Sequence, residues 1–389
     1  MDNFTYYNPT RLVFGRGAEK QVGELAKNAM GRCGKALVVY GGGSARRSGL
    51  LGTVIDSLHE AGLTVLEKGG VQPNPDMSFV RETIDWTRDQ CVGLIVAVGG
   101  GSVIDTAKAV AAGLEYEGDC WDFFDGHAKV EKALPVIAVL TIPAAGSEQS
   151  IRCVISHHGT KAGIGSPLLR PVAAIINPER FSTLPKLQIG AGIVDMMSHI
   201  MERYFSNTEA TGYVDAQAEA ALRTAIKYGP KVYADPNDYD SWCQIALVAT
   251  FAHNGYFGLG RVEDWACHAI EHEISGWNDA IVHGMGLAVV IPAWMSYVSA
   301  KKPRRFVQFA VNVLGIKPQE DDKSTIELGI AKLCGFYTML GMPISLKELG
   351  AADLPVESLA NHCVRNGKVG HLVELDKEDI VAILTRAAQ

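Results

Sequence analysis

Two architectures succeed one another along these 389 residues. An α/β domain on a parallel sheet is expected over 1–182, and an all-helical domain over 183–389. Three observations carry this reading. Short apolar runs of strand character alternate with helical stretches through the first half. Two Gly-Gly-Gly-Ser turns each follow directly on such a run. Beyond about residue 185, strand-like runs become rare, and Ala, Leu, Glu and Met recur with a helical period. Strands alternating with helices imply a parallel sheet covered on both faces.

Taken in order, Lys35–Tyr40 (KALVVY) reads as a buried strand that ends in Gly41-Gly42-Gly43-Ser44, with a helix to about residue 61. Residues 63–68 read as a strand and 79–90 as a helix. The run GLIVAV at 93–98 is a strand ending in Gly99-Gly100-Gly101-Ser102, continued as a helix over 103–112. Residues 135–142 and 172–176 are further strands. The segment NPERFSTLP at 177–185 has turn chemistry and marks the boundary. In the second half Ile193, Met196, Met197, Ile200 and Tyr204 form one helix face, and Asp195, His199 and Glu202 the other. Helices are expected at 209–228, 239–258, 280–298, 323–338 and 376–387, with a cleft between the two domains.

Composition narrows the function. An apolar content of 47% and a charged content of 20% are those of a globular protein. The net charge of −7, with no long basic run, argues against a nucleic-acid partner. The short cluster Lys301, Lys302, Arg304, Arg305 reads as a solvated helix start. No apolar run is long enough for a membrane span, and the first residues lack the pattern of a signal peptide. Eight scattered cysteines form no C-x-x-C pair, so a reduced, cytoplasmic protein without disulfides is expected. Cys267 reads as core packing.

The glycine turns point to a nucleotide. Ligands of parallel sheets bind at the carboxyl ends of the strands. There, glycine lets backbone N–H groups approach phosphate oxygens, and a following helix N-terminus favours negative charge. In VGGGSVIDTAKA, Ser102 is expected to cap the helix and bond a phosphate, and Asp105 to cap or to reach a ribose. NAD sites place a carboxylate near the ribose 2′-hydroxyl. The turn YGGGSARRSG offers none, and Arg46 and Arg47 follow it. NADP(H) is therefore the expected cofactor.

A divided metal site lies in the second half. Asp195 and His199 are four apart, as are His268 and His272, and His283 follows in IVHGMG. Residues four apart share a helix face, so each pair can aim at one point. Carboxylate and neutral imidazole are ligands for a divalent transition metal. Asp195, His199, His268 and His283 are the first choice of ligands, with His272 left for proton transfer, although spacing does not decide which four of the five bind. Gly284 and Gly286 would let a helix approach closely, and His253 and Asn254 stand near in sequence.

With these motifs in hand, the chain resembles the iron-containing (group III) alcohol dehydrogenases, near their NADPH-dependent butanol dehydrogenase and broad aldehyde reductase branch. The resemblance runs through Val71-Gln72-Pro73-Asn74-Pro75, GGGSVIDTAK at 99–108, LTIPAAGSE at 140–148, GIVDMMSH at 192–199 and the histidine segment ending at His283. It implies a Rossmann-like first domain and a helical second domain, the dehydroquinate synthase-like fold. It implies metal on Asp195, His199, His268 and His283. It implies cofactor phosphates on Gly100, Gly101 and Ser102, the adenosine end on Gly42 and Ser44, and Asn74, Asp105, Thr141 and Lys161 lining the cofactor. Iron(II), with zinc as the alternative, short- to medium-chain aldehydes and primary alcohols as substrates, and a homodimer are the accompanying expectations. Ala145 stands where relatives carry threonine, and Arg152 and the His157-His158 loop are individual to this chain. A sister polyol dehydrogenase and a metallohydrolase are the competing readings. The hydrolase would need no nicotinamide.

Overall fold

The computed structural model describes residues 1–31 and 33–389 and divides into two compact units. One is Tyr7–Thr183; the other is Leu184–Gln389 together with Met1–Tyr6. The sequence placed the boundary one residue earlier and left the first six residues with the α/β domain. They join the helical unit through backbone bonds from Met1 to Glu209 and from Asp2 to Gly260.

The α/β unit runs β1 (Arg11–Phe14), α1 (Val22–Ala29), β2 (Lys35–Tyr40), α2 (Ser44–Arg47), α3 (Leu50–Glu60), β3 (Thr64–Lys68), α4 (Met77–Thr87), β4 (Val92–Gly99), α5 (Gly101–Gly113), β5 (Val136–Leu140), β6 (Arg152–His157), β7 (Thr160–Gly165) and β8 (Ala173–Ile176). Six strands form a parallel sheet in the order β1-β8-β5-β4-β2-β3. Continuous Val, Ile, Leu and Ala runs suit it, because helices cover both faces and leave no polar side. The interiors of β2, β4, β5 and β8 are indeed buried on both faces. The chain moves outward from β2 to β3, then returns to β4 on the other side of β2. This reversal opens a crevice at the carboxyl ends of β2 and β4. β6 and β7 form a separate antiparallel hairpin.

Two features of this unit depart from the sequence reading. β1 and the β6–β7 hairpin were not foreseen. β1 has only four residues, and the hairpin's TKAGIG strand lacks an apolar alternation. Cys33 and Cys91, expected to be free thiols, are joined in a disulfide with Cα atoms 5.8 Å apart. They precede β2 and β4, and the pairing of those strands brings the starts of both together. Cys267 is a buried thiol, as expected.

The helical unit contains α6 (Lys186–Tyr204), α7 (Gly212–Ala234), α8 (Tyr239–Ala252), α9 (Ala266–Trp277), α10 (His283–Val298), α11 (Pro303–Asn312), α12 (Asp322–Met339), α13 (Val356–Cys363) and α14 (Lys377–Ala387). Aspartates start several of these helices. Asp238, Asp321 and Asp376 accept N–H groups from the first turns of α8, α12 and α14. The eight-residue α13 was missed in the sequence, because so short a helix is marginal without tertiary packing. α6 is the central element and is buried on all sides from Ile189 to Tyr204. Its Ile, Met and Val side chains each contribute about 1.5–3 kcal/mol when fully buried. Its polar face is buried as well: Asp195 is 6%, His199 6% and Glu202 2% exposed. Buried polar groups in such a row mark a site rather than a solvated stripe. Among the described residues, no helix is long and apolar enough to cross a membrane.

Candidate metal centre and cofactor turns

Three helices of the helical unit supply the expected metal residues. Asp195 and His199 lie on successive turns of α6, His268 in the first turn of α9, and His283 at the first position of α10. Ligating atoms of Asp195, His199 and His268 all lie within 4.8 Å of one another. His283 Nε2 is 3.8 Å from Asp195 Oδ1, and its ring lies 5.3 Å from that of His268. Asp195, His199 and His268 thus form one cluster, and His283 stands at its edge in a second cluster with Glu271 and His272. Two glycines make this approach possible. A Cβ on Gly284 would stand 2.1 Å from the Ala191 carbonyl oxygen of α6, and one on Gly286 would stand 2.7 Å from the Glu271 side chain of α9.

The ring orientations follow from acceptors on the far side of each imidazole. A carboxylate only accepts, so a ring nitrogen facing one carries the proton and the other nitrogen keeps its lone pair. His268 Nδ1 donates to Glu202 Oε1 at 3.0 Å, and His283 Nδ1 makes a short contact with Glu271 Oε2. His199 Nδ1 lies 3.0 Å from the Asp195 carbonyl oxygen. His268 Nε2 is buried with no hydrogen-bond partner among the described residues. Such a lone pair beside a carboxylate and two further imidazoles fits a divalent metal ion. Burial, reinforced by His253, His268 and Arg203, holds His199 well below the usual imidazole range. The ring is therefore neutral, the form that ligates.

Arg203 and Glu271, beside this locus, were not singled out in the sequence, and His253 was noted only as near in sequence. Arg203 donates to the carbonyl oxygens of His199 (2.7 Å) and Ala252 (3.2 Å), sits 3.0 Å from Glu263 and packs over the Trp265 ring at 4.6 Å. The His253 ring lies 4.4 Å from that of His199 and 3.0 Å from Arg203. Glu271 lies between His268 and His272 in HAIEHE, and that interleaving was the only available signal. His272, the expected proton carrier, is half-buried with its ring 5.3 Å from that of His283.

The expected cofactor residues all lie in the α/β unit. Gly42 lies in the turn after β2 and Ser44 begins α2, Gly100 follows β4 with Gly101 and Ser102 opening α5, and Thr141 is the residue after β5. These three strands are neighbours, so the three turns share the carboxyl edge that holds the crevice. Gly99 is required by packing, since a Cβ there would meet Val103 at 2.4 Å. Asn74 has a left-handed backbone (φ 54°). Its loop is tied to the hairpin by a bond from Ser156 N to the Pro75 oxygen, and Ser156 pairs with Lys161. Asp76, Ser156 and Lys161 thereby share one rung, two residues beyond Asn74.

Three expectations need correction here. The cap of α5 is Gly100, whose carbonyl accepts from Val103 and Ile104, so Ser102 lies inside the first turn and does not cap. Asp105 faces inward. It accepts from Ser147 Oγ (2.6 Å) and Val154 N (2.9 Å) and lies 3.8 Å from Lys108. Lys108 is fully buried and donates to Ser147, Ser150 and Arg152 oxygens, so the pair ties α5 to the following loop. Burial pushes the Asp105 carboxyl up and the Lys108 amine down, each opposed by the other's charge. Third, the first glycine turn does have a carboxylate beside it. Glu67 of β3 reaches Arg46 at 2.6 Å, and Arg46 also donates to Tyr40 Oη at 2.8 Å. Sequence distance hid Glu67, and strand pairing supplies it.

Comparison with known proteins identifies the family. Residues 9–178 match the family described as iron-containing alcohol dehydrogenase, and residues 189–388 match the C-terminal part of the Fe-containing alcohol dehydrogenase family. The chain is 42% identical over 99% of both chains to a probable NADH-dependent butanol dehydrogenase of Bacillus subtilis. It is 34% identical, over 94% of both chains, to the NADPH-dependent aldehyde reductase YqhD of Escherichia coli. The crystal structure of an NADH-dependent butanol dehydrogenase A from Thermotoga maritima superposes with a TM-score of 0.95 at 39% identity, covering 100% of this chain and 99% of that one. Matches of this extent across both units establish that the chain belongs to the iron-containing alcohol dehydrogenase family.

Proposed function

We propose that this protein interconverts short- to medium-chain aldehydes and primary alcohols, using a nicotinamide cofactor in the turns after β2, β4 and β5 and one divalent metal on Asp195, His199, His268 and His283. The observation that carries the reading is the cluster of Asp195, His199 and His268 beside the bare, buried Nε2 of His268, with His283 Nε2 3.8 Å from Asp195. Iron(II) is the expected metal, and zinc suits the same donors. When bound, such a metal supplies Lewis-acid polarisation of a carbonyl oxygen. The cofactor supplies the hydride, and the protein supplies orientation and electrostatics.

The chain's own residues then have separable tasks. Glu202 and Glu271 hold two ligand rings by their Nδ1 atoms. Gly100 and Gly101 present backbone N–H groups to a pyrophosphate at the start of the thirteen-residue α5. His272, half-buried beside His283, carries a proton between solvent and the alcohol oxygen. If His272→Ala left turnover and its pH profile intact, this role would be lost.

Cofactor choice is read at Arg46. Its guanidinium suits a 2′-phosphate, while Glu67 beside it suits a free 2′-hydroxyl. Both NADPH and NADH are therefore accepted, in keeping with relatives named for each. A homodimer is expected, and the exposed Phe4, Tyr6 and Tyr213 of the helical unit offer apolar surface for it. Light scattering measures that state.

The deciding experiment follows oxidation of NADPH and of NADH with butanal, using protein stripped of metal and reloaded with iron(II) or zinc. Oxidation only after reloading is expected. Equal rates with and without metal would overturn the metal assignment, and no oxidation with either nucleotide would overturn the reaction.

A further inference from the structure

Glu202 is a carboxylate buried to 2% exposure, and among the described residues it makes no ion pair with lysine or arginine. Arg203, the nearest cation in sequence, is directed to Glu263, to carbonyl oxygens and to His253. Instead, Glu202 is surrounded by N–H donors from one short segment. Oε1 accepts both the backbone N–H of His268 (2.9 Å) and its ring Nδ1–H (3.0 Å), and Oε2 accepts the backbone N–H of Trp265 (2.9 Å).

Those three bonds do two things. They hold Trp265 in a left-handed conformation (φ 69°), which bulky residues rarely adopt. The chain thereby turns so that α9 begins at Ala266. They also fix the His268 ring from its far side, so that Nε2 is the free nitrogen and points toward Asp195 and His199. A helix start needs only a neutral Ser or Asn oxygen as its acceptor. A buried anion is far more costly unless a cation compensates it. The cation that would do so lies across the imidazole, at the metal position. The neighbouring Asp264 adds no compensation: it is a second carboxylate, pushed up to about 7 by its burial and by Glu202.

We propose that Glu202 is a positioning residue of the metal centre, orienting His268 and strengthening its hold on the metal through a charged Nδ1–H contact. The proposal rests on the metal reading given above. An outer carboxylate on a ligand histidine typically contributes about 10–100-fold to metal affinity.

The test measures Zn2+ dissociation constants by competition with a chelating dye, and the visible spectrum of the Co2+-loaded protein, for the wild type, His268→Ala, Glu202→Gln and Glu202→Asp. The melting temperature of each metal-free protein is recorded alongside. Zn2+ affinity in Glu202→Gln is expected to fall about 10–100-fold with an altered Co2+ spectrum, while the metal-free melting temperature stays near that of the wild type. If Glu202→Gln binds Zn2+ as tightly as the wild type while His268→Ala does not, the proposal is overturned and the metal site stands. If wild type and His268→Ala bind Zn2+ equally, the metal reading itself fails and takes the proposal with it. A lower melting temperature with unchanged Zn2+ affinity assigns Glu202 to helix capping alone and also overturns the proposal. Should Glu202→Gln not fold, Glu202→Asp decides. It keeps the charge at shorter reach, so an intermediate affinity supports the role and wild-type affinity refutes it.

Discussion

Arg46 and Glu67 show how single side chains set a preference within a fixed reaction. Both are exposed, so their mutual attraction is weak. A charge-assisted hydrogen bond from Arg46 to a 2′-phosphate would be stronger than that exposed pair. Arg46→Ala is therefore expected to raise KM for NADPH about tenfold or more and to leave NADH nearly unchanged. Glu67→Gln should shift the ratio toward NADPH. Parallel changes for both nucleotides in steady-state kinetics would remove this pair from the cofactor site. Asp264 makes a different statement, about stability. Burial, and then the Glu202 charge, raise its pKa from 3.8 to about 7. The folded protein thus binds this proton more tightly than the unfolded chain does. The stabilisation is complete below about 4 and is lost as pH rises through about 7. Denaturant midpoints of the metal-free protein should fall across that window, and Asp264→Asn should flatten the fall. An unchanged slope in the variant would show that Asp264 is not the group responsible.

At the scale of elements, the centre depends on how closely α6, α9 and α10 can approach. Gly284 stands against the Ala191 backbone of α6 with no room for a Cβ. Gly284→Ala must push α10 away, at an expected cost of about 1–3 kcal/mol and with weakened metal binding, since His283 is the preceding residue. Gly335 in α12 is the control. Nothing lies within 4 Å of a Cβ there, so Gly335→Ala should stabilise by about 0.5–1 kcal/mol. Chemical denaturation of both variants, with metal affinity measured alongside, checks the pair. Equal effects would mean that close packing at Gly284 is not what holds the centre. Much of this was legible beforehand. The i,i+4 pair of α6 and the glycines after His283 are local patterns that helix geometry turns into direction, whereas His268 and His272 of α9 fall in different clusters. β1, the β6–β7 hairpin and α13 were not legible, because each is too short or too irregular to show a period and gains its stability from its neighbours.

Across the whole molecule the two chemical tasks fall on separate compact units. All the expected cofactor residues lie within Tyr7–Thr183 and all four expected metal ligands within Leu184–Gln389. Removal of metal by a chelator should therefore abolish turnover while nicotinamide binding, followed by fluorescence titration, persists within about twofold (~0.4 kcal/mol). The melting temperature should also fall, because a ligand that binds only the folded state stabilises it by mass action. Loss of nucleotide binding on chelation would contradict this division of labour.

The family, the succession of an α/β unit by a helical one, the two glycine turns and the spacing of the candidate metal residues could be read from the chain itself. Each is written in residues close together, where backbone geometry converts spacing directly into direction. The residues that complete the site could not be read this way. Glu202 meets His268 across 66 residues, Glu67 meets Arg46 across 21, and Cys33 meets Cys91 across 58. Asp105, which spacing offered to a ribose, turns inward to Ser147 42 residues away. These partners are chosen by strand order and helix packing. A side chain's role in them depends on what the fold brings opposite it, and no local period records that.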